Sequence, residues 1–122
     1  MNEEKIIQLI AKNYHQLLRK NNFFPDYNQE LEFYDVVSHA CRDHLPWEKF
    51  ILGVETCYFA LPYHLRKIIK CEYFYNNYSF WWEEFYTRKQ FRIFKKEAIA
   101  GFIANLKKLH LINEQGELNE TF

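Results

Sequence analysis

The chain has 122 residues, of which 48% are hydrophobic, 20% are aromatic and 26% are charged. This length fits one domain, and the hydrophobic share excludes an intrinsically disordered chain. Sixteen basic and sixteen acidic side chains leave a net charge of zero, which excludes a protein drawn as a whole to nucleic acid or to an anionic membrane.

Cysteine usage and the lengths of the apolar runs bear on the cellular compartment. Cys41, Cys57 and Cys71 are odd in number and widely spaced, which disfavours a disulfide framework and a zinc site. No apolar stretch approaches the roughly 20 residues that span a bilayer, and the N-terminus lacks the pattern of a signal peptide. The sequence therefore predicts a cytoplasmic protein with no membrane contact, no metal and no other cofactor.

Apolar residues recur at spacings of three and four along most of the chain, and only three Gly and three Pro interrupt them. This pattern predicts an all-α protein, a compact bundle of about six helices. The first helix covers residues 2–20, the second runs from Asp26 or Asn28 to Leu45, and the third covers residues 47–60. The inward stripe of the first helix consists of Ile6, Leu9, Ile10, Tyr14, Leu17 and Leu18. The third is apolar on most sides, so we expect it at the centre of the bundle.

The second half of the chain contains the other three helices. The fourth starts at Pro62 and ends at Asn76. A short fifth helix, SFWWEEFY, follows Ser79 as its N-cap. The sixth covers residues 88–109 and has Thr87 as its N-cap. The fourth to sixth helices follow one another in the order of a helix-turn-helix.

Charge is distributed unevenly along this single predicted domain, which covers residues 1–110. Residues 1–60 carry six basic and nine acidic side chains, whereas residues 61–110, the half that resembles a helix-turn-helix, carry ten and four. Residues 111–122 carry three acidic and no basic side chains, and we expect them to form a frayed, flexible tail. A basic half within a neutral chain is typical of a domain with one anionic partner face.

Basic side chains gather at the start of the sixth helix. Lys89, Arg92 and Lys96 share one face at i, i+3 and i+7. The opposite stripe, which we expect to face the core, is apolar: Phe91, Phe94, Ala98, Phe102, Leu106 and Leu109. Arg and Lys can bind phosphates, and Arg or Gln can make bidentate contacts to guanine or adenine edges. The candidate DNA-binding residues are Arg88, Lys89, Gln90, Arg92, Lys95 and Lys96. The alternative interpretation is a solvated lysine-rich face without a nucleic-acid partner.

A longer pattern surrounds these residues. Leu61 and Pro62 precede Arg66 and an Ile-Ile pair, the helix ends on Tyr-Phe, and Thr87 caps an aromatic and basic helix containing Lys-x-x-Ala-Ile. This pattern, which covers residues 60–106, resembles region 4 of sigma-70-like factors and more closely the phage-type ArpU/RinA transcriptional regulators. The resemblance implies a bacterial transcription regulator whose recognition helix binds double-stranded promoter DNA, with RNA polymerase as a further partner.

Aromatic residues crowd the short fifth helix. Trp81, Trp82, Phe85 and Tyr86 stand so close together that they cannot all point inward. One or two should cover a neighbouring helix or form an exposed anchor for a partner, which makes Trp81 and Trp82 candidate partner-binding residues. The alternative function is therefore a non-enzymatic, all-helical interaction module that binds RNA polymerase, a ribosomal component or a second copy of itself as a homodimer.

No group of side chains predicts catalysis. His39 and Asp43 share a helix face at i, i+4, but two ligands fall short of the three or four that a metal site requires. Cys57 and Cys71 stand among apolar residues, which is typical of packing rather than of a nucleophile. The sequence therefore predicts no catalytic residue and no metal ligand, and indicates a protein that is not an enzyme.

Overall fold

The computed structural model describes residues 2–22, 46–75 and 79–118. Four α-helices form within these ranges: α1 (Glu3–Lys20), α2 (Pro46–Phe59), α3 (Tyr63–Ile69) and α4 (Arg88–Lys108). Two shorter helical turns accompany them: a π-helical turn (Lys70–Phe74) that continues α3, and a 3-10 turn (Trp81–Glu84) that precedes α4. The described ranges contain no β-strand, so the predicted all-α class is confirmed. None of the described helices is both long and apolar enough to cross a membrane.

All four described α-helices begin within one residue of the positions that the sequence predicts. Asn2 precedes α1, and its side chain accepts a hydrogen bond of 2.8 Å from the backbone N–H of Glu4. Pro46 is the first residue of α2, where its missing N–H leaves no helical hydrogen bond unmade. Thr87 caps α4. The second predicted helix lies outside the described residues.

The chain between α3 and α4 differs from the prediction. The fourth helix keeps α-helical geometry only as far as Ile69 and then widens into the π-helical turn. The predicted fifth helix is a single 3-10 turn, and Phe80 rather than Ser79 stands at its N-cap, without a side-chain hydrogen bond. Because so short a segment gains little from its own hydrogen bonds, the packing of Trp81 determines its shape. The first helix expected of a helix-turn-helix is thus one turn long.

α2 contacts α1, α3 and α4, and seven of its fourteen residues are buried. α4 likewise contacts each of the other three helices, so α2 shares the middle of the described bundle with it. The largest fully buried side chains come from all four helices: Tyr14, Tyr58, Phe50, Phe102, Ile7, Ile10, Leu18, Ile51, Ile68, Ile69 and Leu106. Burial of a large apolar side chain contributes about 1.5–3 kcal/mol. Two residues predicted to face the core do not, since Leu9 is 40% exposed and Leu109, beyond the end of α4, is 43% exposed. Ile7 and Ala11 take the inward positions of α1 instead.

Two glutamates lie in the core although the sequence of α2 is largely apolar. Glu48 is fully buried, and Glu55 is only 1% exposed. The phenolic O–H of Tyr14 in α1 donates a hydrogen bond of 2.6 Å to Glu55 Oε1. Burial and the neighbouring Glu55 carboxylate raise the pKa of Tyr14 far above its ordinary value. The pair therefore joins α1 to α2 through a hydrogen bond that is shielded from water.

Residues 111–118 fold back onto the bundle, so the prediction of a frayed tail is wrong for this part. Leu111 and Ile112 are buried, and Ile112 pairs with Leu118 in an isolated antiparallel bridge. Gly116 has φ +83°, and a Cβ at this position would lie 2.7 Å from Cδ1 of Ile6. Glycine is therefore required here both for the backbone conformation and for the close contact with α1. The apolar residues among the acidic ones explain why the segment packs.

His15 joins α1 to the end of the π-helical turn. Its Nε2 lies 2.7 Å from the backbone carbonyl oxygen of Phe74, and its ring packs against Tyr14, Phe74 and Tyr75. Burial lowers the pKa of His15, and Arg19 lowers it further, while the hydrogen bond to the carbonyl acts in the opposite direction. The fold therefore favours the neutral imidazole.

This contact makes stability depend on pH. Because the folded-state pKa of His15 is lowered, its contribution to stability is complete above about pH 6.5, the ordinary histidine value, and is lost as the pH falls through the folded-state pKa. We expect the His15→Gln variant, which keeps a donor for the Phe74 carbonyl, to lose less Tm than the wild type between neutral and mildly acidic buffer. Equal losses in thermal unfolding followed by circular dichroism would contradict this assignment.

Candidate nucleic-acid interface

The start of α4 is fixed by a reciprocal pair of hydrogen bonds. The backbone N–H of Gln90 donates to Thr87 Oγ1 at 3.1 Å, and the backbone N–H of Thr87 donates to Gln90 Oε1 at 3.0 Å. This capping box satisfies two N–H groups that would otherwise lack partners at the helix end. The helix therefore begins at a defined residue, and the side chains of its first turns have defined directions. Gln90 is exposed, as predicted, but its side chain takes part in the cap.

Four of the six predicted DNA-binding side chains are exposed cations. Arg88, Lys89, Arg92 and Lys96 are all exposed, and none of them forms an ion pair within the described part of the chain. Lys89, Arg92 and Lys96 lie on one face of α4, because residues three and four apart are neighbours on a helix. From Lys89 to Lys96 this face extends about 10 Å along the helix axis, at 1.5 Å per residue. We call Arg88, Lys89, Arg92 and Lys96 together the α4 basic face.

An apolar side chain lies beside the α4 basic face. Ile93 is 47% exposed. By contrast, Ala98 and Phe102 lie on the buried side of the helix and are fully inaccessible to solvent. Ile93 is not part of the predicted apolar stripe, which is confirmed except at exposed Leu109, since Leu106 is also buried and Phe91 and Phe94 are half-buried. The exposed first two turns of α4 thus combine cations with one branched aliphatic side chain, and the positive end of the helix dipole lies at the same end. The exposed carboxylate of α4, Glu97, follows Lys96 in the next turn.

Lys95 is a correction to the predicted set of DNA-binding residues. Its Nζ lies 3.2 Å from Glu4 Oε1 and 3.2 Å from Glu72 Oε2, so its charge is already neutralised. Burial acts to lower the pKa of Lys95, but Glu72 and Glu4 together raise it. The sequence places Lys95 next to Lys96, but the helix turns it toward α1 and the π-helical turn, away from the α4 basic face.

The two glutamates that hold Lys95 have further partners. Glu72 Oε1 accepts a hydrogen bond of 2.7 Å from Trp81 Nε1, and Glu4 Oε1 accepts one of 2.7 Å from the Tyr73 hydroxyl. The bond from Tyr73, opposed by burial and assisted by Lys95, lowers the pKa of Glu4. These five side chains connect α1, the π-helical turn, the 3-10 turn and α4. They fix the N-terminal half of α4, and with it the α4 basic face, against the rest of the bundle.

The predicted partner-binding tryptophans are not exposed anchors. Trp81 is only 5% exposed and packs against Phe91, while Trp82 is half-buried and stacks on Phe91 with ring centres 4.7 Å apart and planes 6° apart. The hydrogen bond from Trp81 to Glu72 explains why its ring turns inward. Their neighbours are exposed instead, Phe80 by 60% and Phe85 by 53%.

A second group of cations, which the sequence pattern does not predict as a binding site, lies at the corner between α2 and α3. The guanidinium carbon of Arg66 lies 5.9, 5.3 and 5.5 Å from the ring centres of Tyr58, Phe59 and Tyr63. Lys67 Nζ lies 3.2 Å from the ring centre of Phe85. The spacing of Tyr63 three residues before Arg66 is the signal that could have identified this contact from the sequence.

The described residues contain no arrangement typical of a metal site or of a nucleophile. No three His, Cys, Asp or Glu side chains converge within the described ranges, and His39, Cys41 and Asp43 lie outside them. Burial raises the pKa of Cys57 to about 12, which keeps this thiol protonated and unreactive. A cleft of about 510 Å³ between α2 and the end of α4 has no carboxylate in its lining: Pro46, Lys49, Phe50, Leu52, Gly53, Thr56, Leu109, His110 and Leu111.

The structure therefore presents two separate cationic surfaces, the α4 basic face and the corner between α2 and α3. The first consists of cations without acidic partners in the described residues. The second interleaves cations with aromatic rings. Comparison of the chain with models of protein families, with curated proteins and with solved structures gave no match.

Proposed function

We propose that this protein binds double-stranded DNA through the α4 basic face and acts as a transcriptional regulator, with RNA polymerase as a further partner. The observation that carries the proposal is the exposure of Arg88, Lys89, Arg92 and Lys96 on the first turns of a helix of 21 residues, without ion pairs in the described part of the chain. The resemblance of residues 60–106 to sigma-type and ArpU/RinA regulators supports the same function.

The side chains of the α4 basic face are complementary to the phosphates and base edges of a major groove. Its cations can neutralise phosphates, and each phosphate neutralised contributes about −0.9 to the slope of log affinity against log salt. Arg92 has the fork of donors that reads guanine, and Ile93 can contact a thymine methyl group. The 3-10 turn takes the place of the first helix of a helix-turn-helix, and the bonds of Lys95 and Trp81 hold α4 against it.

The proposal is tested by the double variant Arg92→Ala/Lys96→Ala. On random duplex DNA, where binding is non-specific, Arg92 and Lys96 both act as phosphate contacts. We expect the affinity of the double variant to fall by about tenfold, and the magnitude of its salt slope to fall by about 1.8, because two phosphate contacts are lost. The matched control is Lys107→Ala/Lys108→Ala, which removes the same charge from the opposite end of the same helix. The measurement is fluorescence anisotropy of a labelled duplex at low and at physiological salt.

Two results would contradict duplex binding by this face. The first is an absence of binding by the wild type even at low salt. The second is an equal loss in the two double variants, because the effect would then depend on total charge and not on position. Once the control double variant is shown to bind duplex DNA more tightly than the test double variant, a sequence-specific site can be selected from random duplexes.

The second candidate function, an interaction module, is favoured by the exposure of Phe80 and Phe85. Large aromatic side chains are enriched at the centres of protein interfaces. A homodimer formed through them would dissociate in a Phe80→Ser/Phe85→Ser variant, and its stability would depend little on salt. Light scattering during size-exclusion chromatography distinguishes a dimer from a monomer, and a monomeric wild type would exclude this form of the module.

A further inference from the structure

The corner between α2 and α3 carries aromatic and cationic side chains that alternate in space. We call it the corner surface, and its residues are Phe59, Tyr63, Arg66, Lys67 and Phe85. We infer that the corner surface binds single-stranded nucleic acid, with Arg66 and Lys67 on its phosphates and Tyr63 stacked against a base.

Arg66 is held in place without an acidic partner. Three aromatic rings lie within 6 Å of its guanidinium carbon, at 5.3 Å for Phe59, 5.5 Å for Tyr63 and 5.9 Å for Tyr58. Its Nε is buried and has no hydrogen-bond partner, so packing and cation–π attraction determine the position of the group. Within the described residues it makes no ion pair. A guanidinium fixed in this way has little conformational entropy left to lose on binding. Its planar fork of N–H donors also matches the oxygens of a phosphate.

The rings of the corner surface remain available to a ligand. Tyr63 is 62% exposed and Phe59 is 39% exposed, although both lie against Arg66. Phe85 is 53% exposed and has Lys67 over its ring. Exposed aromatic rings next to cations are what successive bases and phosphates of a single strand require. A purely acidic ligand would use the cations and leave the rings without a partner.

The corner surface lies away from the α4 basic face. Helix α4 faces the end of α2 and the start of α3 through Phe94, whose ring contacts His64, and through Gly101, which closely approaches Leu61. Lys89 and Lys96 lie on a different side of the helix, because their positions are turned by about 120–160° around the axis from those of Phe94 and Gly101. Tyr63 and Arg66 therefore lie on the side of α4 opposite Lys89 and Lys96, whereas Phe85 of the corner surface stands three residues before Arg88 of the α4 basic face. Variants at Tyr63 and Arg66 are accordingly the ones that separate the two surfaces.

The first experiment measures anisotropy of a labelled oligothymidylate of about 12 nucleotides, a length within the usual site sizes. We expect Tyr63→Leu to weaken this binding by about tenfold, which corresponds to the loss of one stacked base. We expect Arg66→Lys, which keeps the charge but loses the fork, to weaken it by a smaller factor of about five. Both variants should keep the affinity of the wild type for a hairpin duplex, and circular dichroism checks their folding.

The second experiment separates a nucleic-acid strand from phosphate alone. The probe is an abasic phosphodiester oligomer of equal length, and inorganic phosphate is the competitor. Weak binding of the abasic probe, together with the loss in Tyr63→Leu, supports the inference. It is overturned if the abasic oligomer binds as tightly as oligothymidylate, if oligothymidylate does not bind at low salt, or if Arg92→Ala/Lys96→Ala abolishes single-strand binding that Tyr63→Leu leaves intact.

Discussion

Replacing Trp81 by alanine is expected to lower the free energy of unfolding by about 3–5 kcal/mol, the usual cost of removing a large aromatic side chain from a core. Trp81 is 5% exposed, and its ring lies 5.9 Å from that of Phe91 and 6.3 Å from that of Tyr86. The variant also removes the indole N–H that donates a hydrogen bond of 2.7 Å to Glu72 Oε1. Urea denaturation followed by circular dichroism measures the loss.

The matched control for Trp81→Ala is Trp82→Ala. Trp82 stacks on Phe91 but is half-buried, so its removal is expected to cost only about 1 kcal/mol. A larger loss in Trp82→Ala than in Trp81→Ala would overturn the assignment of Trp81 to the core. It would also restore the hypothesis, drawn from the sequence, that this tryptophan is an exposed anchor.

Replacing Tyr14 by phenylalanine is expected to lower the free energy of unfolding by about 2 kcal/mol, although it removes a single oxygen atom. The reason is the burial of its acceptor. Glu55 is 1% exposed, so water cannot replace the 2.6 Å bond that its carboxylate loses. The ring of Tyr14, which also packs edge-on against Phe74 at 5.3 Å, is retained in the variant.

The control for Tyr14→Phe is Tyr73→Phe, which removes a hydroxyl bonded to a glutamate of similar geometry. The Tyr73 bond to Glu4 is 2.7 Å long, but the Glu4 side chain is 41% exposed and can be hydrated when the bond is lost. We expect a cost of about 0.5 kcal/mol for this variant. Similar losses in the two variants, measured by urea denaturation, would show that burial of the acceptor does not amplify the effect.

Much of the fold follows from local patterns in the sequence. The spacing of apolar residues and the capping residues Asn2 and Thr87 predict the beginnings of α1 and α4 within one residue, because these signals act over a single helical turn. The aromatic stretch after Ser79 carries a weaker local signal, because its short 3-10 turn depends on how Trp81 packs against Glu72 and Phe91, outside the stretch itself.

The candidate site was predictable only in part, for the same reason. Exposure of Arg92 and Lys96 follows from their positions opposite the apolar stripe of α4. The neutralisation of Lys95 does not, because its partners Glu72 and Glu4 lie 23 and 91 positions earlier in the chain. Periodicity reports which side of a helix faces inward, whereas ion pairs between helices depend on how the helices are arranged.

If α4 binds DNA as proposed, its capping box limits which bases the helix would read. The amide of Gln90 is the side chain at the start of α4 that would recognise adenine, yet its oxygen accepts the N–H of Thr87 at 3.0 Å. A bidentate contact with adenine would have to compete with the bond that starts the helix. Base recognition would then fall to Arg88 and Arg92, whose preferred partner is guanine. A duplex site selected by this protein should accordingly be marked by G·C pairs at the positions facing Arg88 and Arg92.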